Sequence, residues 1–430
     1  MKKKWRNRLK YLLLAPLLFI LLVGCSDQKS TDSGKGVKEI EFFNQKPEIS
    51  RQLKELANTY SEAHDDVKIT VTTIGSGEGA AGLQAKFTSG NPPEIMMLGG
   101  TSEIDRYQDT LLEVSDLEVT NTIMEDLLEG ALIDDSLLAI PMNVEGFGWM
   151  YNKEIFKEAG IDPESIETFD DFVEAVEKLD QQKEDLGIEE VFAFSGAEDY
   201  SSNQFSAHFT SPEFDHSILE AYEATELNWK YGDQMKAYMD LFNEYNIQPI
   251  LGVNYSQSVE ELFINSQVAM VHQGNWIVPT LNGIDSDFVE EKLGILPVFG
   301  ENNETAKIVA GAPWYIGINS DIDDDVKEAA KDFVDWMYLS DEGQETLVHE
   351  MQMIPPQEGY DVEDITDSVS QIIYQEMLDE NTSAMAHNQY PDGWFQLVLF
   401  PEFQRYLDGY STWEEFEKNT SEGFQEMREQ

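Results

Sequence analysis

The side chains best placed for chemistry are tryptophans beside turn-forming residues, together with one acid inside an apolar run. Gln273-Gly274-Asn275-Trp276, Pro313-Trp314-Tyr315 and Tyr390-Pro391-Asp392-Gly393-Trp394 each set a tryptophan next to Gly, Pro or Asn. Such a ring sits on a loop or strand end, where its face can be presented. Glu145 interrupts the apolar stretch IPMNVEGFGWMYNK, residues 140–153. Aromatic faces combined with amides and a carboxylate suit a pyranose, whose C–H face stacks on a ring while its hydroxyls need donors and acceptors. Trp276, Trp314 and Trp394 are therefore candidate ligand contacts. Trp149, Trp229, Trp336 and Trp413 are assigned to core packing, and Trp5 lies in an N-terminal leader.

Catalytic signatures are weaker. Gly77-Glu78-Gly79-Ala80-Ala81-Gly82 fits the G-x-G-x-x-G pattern between a strand and a helix. Glu78 would put a negative charge beside a pyrophosphate, and the strand is the second of its sheet, so a glycine-rich turn is the better reading. His349-Glu350 begins like a zinc-protease motif, but Met353 stands where the second histidine belongs. The six histidines are scattered without ligand spacing, and no metal or cofactor is expected. Among 83 acids any pair could meet at the separation glycoside hydrolysis needs. No local signature marks one, and an enzyme is the minority reading.

The elements that must position these residues read as α/β. A strand from Val37 to Phe43 precedes a helix with Leu53, Leu56, Ala57, Tyr60 and Ala63 on one face. Val67, Ile69 and Val71 then alternate as a strand, and Glu94 to Leu98 follows Pro92-Pro93. This βαβαβ opening predicts a parallel sheet with helical cover. Further strands are expected at 191–194, 268–271 and 293–298. Capping pairs are expected at Thr168/Asp171, Ser258/Glu261 and Thr412/Glu415. The extended segment Val309 to Asn319 is built much like Ile140 to Lys153. Each is expected to carry the chain from one lobe to another, with Glu145 beside a ligand cleft.

At 430 residues, 41% of them apolar, the chain has material for two cores. Six basic residues within Met1–Lys10 precede an apolar run of 13 residues, Tyr11–Val23. That run is too short to span a bilayer but suits the core of a secretion signal. Leu22-Val23-Gly24-Cys25 resembles a lipobox, which implies cleavage before Cys25 and lipidation of its thiol. The sole cysteine leaves no internal disulfide. Residues 25–36 read as a flexible tether. Without residues 1–24 the side chains comprise 22 bases and 83 acids, a net charge of −61. That charge excludes nucleic-acid binding and indicates a strongly solvated surface, as a saline or alkaline habitat would favour.

Together the stretches AIPMNVEGFGWMYNKEIFKEAGI, VAMVHQGNW, GILPVF, GAPWYIGINS and a helix ending in YLSDEGQETLV occur in the order found in family 1 extracellular solute-binding proteins of ABC importers, the oligosaccharide and maltose-binding type. The chain resembles that family from about residue 37 to 425. The resemblance implies a fold of two α/β lobes that close on a ligand through a hinge. Lobe 1 would hold residues 37–143 and 312–353, and lobe 2 residues 144–311 and 354–430. It also implies roles for individual residues. Glu145 falls at a sugar-binding carboxylate, Trp276 at the tryptophan of a G-x-W motif, Trp394 at an aromatic near the C-terminal return and Tyr200 at a stacking aromatic of lobe 2. Asn44, Gln45 and Lys46 stand after the first strand, where polar contacts are common, and Asn275 and Tyr315 flank the two tryptophans. Leu98-Gly99-Gly100 stands where relatives often carry an aromatic, so either Trp314 supplies that platform or the subsite is missing. The implied protein is a monomeric, lipid-anchored receptor on the extracytoplasmic face of the cell membrane, with a carbohydrate ligand and membrane permease subunits as partners. A receptor for a peptide or polyamine and a secreted glycoside-acting enzyme remain the alternatives.

Overall fold

Two sheets organise the chain. The computed structural model describes residues 36–75, 78–299 and 307–429; the leader, Cys25, the tether as far as residue 35, and Gly77 lie outside them. In the first sheet the strand order is Val67–Thr73, Lys38–Asn44, Ile95–Leu98, Tyr315–Ile318, Ile140–Pro141. The first three are parallel, with Phe42 opposite Val71 on one side and Ile95 on the other. The returning strand is antiparallel to both neighbours and pairs Tyr315 with Leu98 and Pro141.

The second sheet is built around Glu145–Asn152, a strand whose eight residues are all buried. Val268–Gly274, Leu293–Leu296 and Ile308–Gly311 pair with it antiparallel, and Glu190–Phe192 and Thr382–Ser383 complete the sheet. Burial on both faces explains why this stretch reads as an apolar run without alternation. The α/β fold with two lobes is thus formed as two sheets, and the chain passes between them at both expected segments. Ile140–Pro141 belongs to the first sheet and Glu145–Asn152 to the second; Ile308–Gly311 belongs to the second and Tyr315–Ile318 to the first. A bridge between Val144 and Ile354 adds another contact there.

Helices cover the sheets where the apolar stripes require. Ser50–Ala63 buries Leu53, Leu56, Ala57 and Tyr60. Tyr60 and Phe42 both meet Phe333 of the helix Asp324–Leu339 edge-on, at 5.0 and 6.4 Å. Thr168 and Asp171 form a reciprocal capping box at the start of Phe169–Leu186, and Thr412 and Glu415 do the same for Trp413–Arg428. Ser258 departs from expectation. It lies inside the helical segment Ser256–Phe263, and its hydroxyl donates to the Ala193 carbonyl, tying that segment to the second sheet without capping it. Behind the second sheet, Trp149 packs among Phe172, Phe192 and Phe242 at 5.9, 4.8 and 6.2 Å. Rings of this size each bury about 150–250 Å² and dominate the energetics of such a core. Among the described residues no helix is long and apolar enough to cross a membrane.

Candidate ligand cleft between the sheets

The first strand ends at Asn44, and the turn after it is locked locally. The Asn44 side chain accepts from the Lys46 N–H at 3.0 Å and donates to the Lys46 carbonyl at 2.8 Å and to Thr73 Oγ1 at 3.1 Å. Asn44 therefore shapes the turn and has little capacity left for a ligand. The turn aims Lys46 across to the second sheet, where its ammonium pairs with Glu145 Oε1 and also meets Glu48 Oε1 at 2.8 Å. Burial works to lower the lysine's pKa, but the two carboxylates outweigh it and raise it. Asn143 Nδ2 donates to the same Glu145 oxygen at 3.3 Å.

Glu145 opens its strand beside the segment that holds Trp276. Asn275 Oδ1 accepts from the Gly146 N–H at 3.0 Å, which fixes one edge of that turn to the other strand. Trp276 Nε1 donates to Gln273 Oε1 at 2.9 Å, and Gln273 Nε2 donates to the Tyr200 hydroxyl at 3.3 Å. A side chain on Gly274 would overlap the Trp276 ring and the Gly146 carbonyl, so the close return of the ring requires glycine. Lys46, Glu145, Asn275 and Trp276 line one cavity with Asn143, Glu48 and the 351–353 segment; its volume is about 20 Å³, room for about one water.

Gln45 and Trp314 form a neighbouring group on the first sheet. Gln45 Nε2 donates to the Met97 carbonyl at 2.8 Å. Gly99 lies between Glu103 and the partly exposed Trp314 ring: a side chain there would stand 3.5 Å from the ring and 3.4 Å from Glu103 Oε2, ordinary contact distances. Glu103 was not among the expected residues. It is buried and accepts from the Gly99 N–H at 2.6 Å through Oε2. Burial raises its pKa and the Gly99 bond works against the rise. Its signal in the sequence was position: Gly99-Gly100 follows a parallel strand, and the carboxyl ends of such strands are where clefts form.

Two expected contacts are corrected. Trp394 is fully buried, with Tyr390 and Phe424 packed on it at 5.1 and 5.4 Å and its Nε1 donating to the Thr420 carbonyl at 3.0 Å. The C-terminal helix covers the turn that would have displayed it. Tyr315 is also buried, its hydroxyl 3.4 Å from the Leu127 carbonyl. Residues next to each other along an extended segment project to opposite sides, so Tyr315 turns inward where Trp314 remains partly exposed. Among the described residues no group of three or more His, Cys, Asp or Glu could hold a metal ion. The cleft offers carboxylate, ammonium, amide and indole groups, a set suited to hydroxyl hydrogen bonding and ring stacking.

Residues 45–345 match the profile of the family described as bacterial extracellular solute-binding protein. The multiple sugar-binding protein of Streptococcus mutans is 22% identical over 299 residues, 66% of this chain and 68% of that relative. The arabinooligosaccharide-binding protein of Bacillus subtilis is 27% identical over 183 residues, 39% of this chain and 41% of the relative. Among solved structures, a chitin oligosaccharide binding protein superposes with a TM-score of 0.76 at 18% identity, covering 92% of this chain and 100% of that one. SBP RafE in complex with raffinose gives 0.74 at 17% identity, covering 91% and 99%. At these identities the structural likeness establishes the fold.

Proposed function

We propose that this chain, which belongs to the family of bacterial extracellular solute-binding proteins, is the non-enzymatic receptor of an ABC importer and captures a neutral sugar or oligosaccharide between two lobes. The observation that carries this reading is the meeting of Lys46 and Glu145. Lys46 follows a strand of the first sheet, Glu145 opens a strand of the second, and the two share one cavity with Asn275 and Trp276. A ligand touching both sides would stabilise the closed arrangement by its extra affinity for it, and a permease would read that form. The sugar assignment draws on relatives named for multiple sugars and arabinooligosaccharides and on the raffinose complex.

Within this reading, lobe 1 comprises residues 37–143 and 312–353 and lobe 2 residues 144–311 and 354–430, in keeping with the sheet to which each strand belongs. Glu145, Trp276, Trp314, Tyr200, Gln45 and Lys46 form the ligand contacts, with Glu103 added. Cys25 carries the lipid that holds a monomeric receptor at the outer face of the membrane. Titration of the mature protein with neutral mono- and oligosaccharides is expected to change tryptophan emission and raise the melting temperature. Ligand at 100 times its Kd adds about 2.7 kcal/mol of stability. Emission and melting unmoved across the whole panel would refute the sugar assignment.

A further inference from the structure

Lys46 is a buried cation held between two acids from different parts of the fold. Its side chain is 5% exposed; Glu48 lies in the turn immediately after it, and Glu145 opens the central strand of the other sheet. Charges removed from water persist when they are paired and hydrogen-bonded, and Asn143 adds an amide to the Glu145 oxygen that Lys46 takes. The other walls of the cavity, among them Asn275, Trp276, Pro279, Met351 and Met353, carry no charge. A carboxylate beside an indole face is otherwise an arrangement that takes up ammonium groups, through the ion pair and through the ring. The surrounding protein strengthens that tendency. With 83 acidic side chains against 28 basic ones in the chain, its field concentrates cations near the surface.

We propose that Lys46 determines specificity as the built-in cation of the cleft: it occupies Glu145, leaves hydrogen-bonding capacity for neutral hydroxyls, and excludes polyamines and amino sugars whose ammonium would need the same carboxylate. The inference rests on the cleft being the ligand site and names the solute class that the site rejects. Removing the lysine's charge leaves the buried Glu145 without a counter-charge and with Glu48 nearby, so such a variant recruits a cation from solution.

The test compares the mature wild-type protein with Lys46→Met, Lys46→Gln and the charge-keeping Lys46→Arg. Melting temperature and calorimetric binding are followed with spermidine, with glucosamine oligomers and with neutral oligosaccharides. Wild type and Lys46→Arg are expected to ignore the cations. The Met and Gln variants should melt lower than wild type, be restored by spermidine, and bind it at least tenfold more tightly than wild type. Adding Glu145→Gln to either variant should abolish that gain. Spermidine binding equally well to wild type overturns the proposal, as does failure of both neutral variants to bind or be rescued by it. Absence of neutral-sugar binding in the wild type, with the cation pattern intact, would refute the sugar reading and leave the role of Lys46 standing.

Discussion

Trp276 and Trp394 share a local sequence cue, each close behind a glycine in a turn, and end in opposite surroundings. Trp276 is partly exposed on the cavity wall, tied by its Nε1 to Gln273 and packed 5.9 Å from Phe147. Phe147 is in turn ringed by His208 and the buried His272 and His387 at 5.2, 6.0 and 5.4 Å, and among the described residues the Nδ1 atoms of these histidines have no hydrogen-bond partner. Trp394 sits in an aromatic cluster with its Nε1 bonded to a helix carbonyl. A glycine or proline neighbour frees a tryptophan from a helical stripe, but what crosses behind the turn decides whether the ring stays visible. At Trp394 it is the helix Trp413–Arg428, which supplies Thr420 and Phe424; Trp276 borders the gap between the sheets.

The contrast is broken most severely by Trp394→Ala. Truncating a fully buried tryptophan costs about 3–5 kcal/mol, so denaturant unfolding should shift by that amount while the folded fraction binds ligand with unchanged affinity. A specific loss of affinity without loss of stability would return Trp394 to the ligand site.

Acid should act on the Trp276 side through the histidines. Burial pulls the pKa of His272 and of His387 down from 6.5 to about 3. Unfolded chains therefore take up protons below about pH 6.5 that the folded protein refuses until about pH 3. The contribution to stability is complete above the upper value and is lost as pH falls through that window, by about 1.4 kcal/mol per pH unit for each histidine. Denaturant titrations from pH 7 to pH 4.5 should show a shallower decline in His272→Gln than in wild type. Equal slopes would remove the histidines from the account. The smallest change in stability is expected for Trp276→Ala, about 1 kcal/mol or less. Its signature lies in binding, where loss of a stacking face should lower affinity roughly tenfold, measured calorimetrically against any sugar that wild type accepts.

Much of the fold was legible because local and global preferences agree. The alternation in Val67–Thr73, the stripe in Ser50–Ala63 and the boxes at Thr168 and Thr412 form where periodicity and caps place them. The two crossings were visible as matched apolar segments with Gly and Pro. Ser258 failed because a hydroxyl three residues before an acid can serve any nearby carbonyl, and here it serves Ala193. The site was legible only in part. Lys46 and Glu145 stand 99 positions apart, and their pairing exists only once both sheets have formed. Asn44 looked like a contact, yet its amide is used up in holding the turn that aims Lys46. Glu103 was hidden among many acids, and what distinguishes it is burial beside Gly99 and Trp314.

The central claim, that a ligand is gripped where the sheets meet at Glu145, is tested most directly by calorimetric titration of Glu145→Gln against wild type with the sugar that wild type binds best. Affinity should fall at least tenfold, about 1.4 kcal/mol. Cooperative melting should persist because Lys46 keeps Glu48 as a partner at 2.8 Å. Unchanged affinity in a folded Glu145→Gln protein would contradict it.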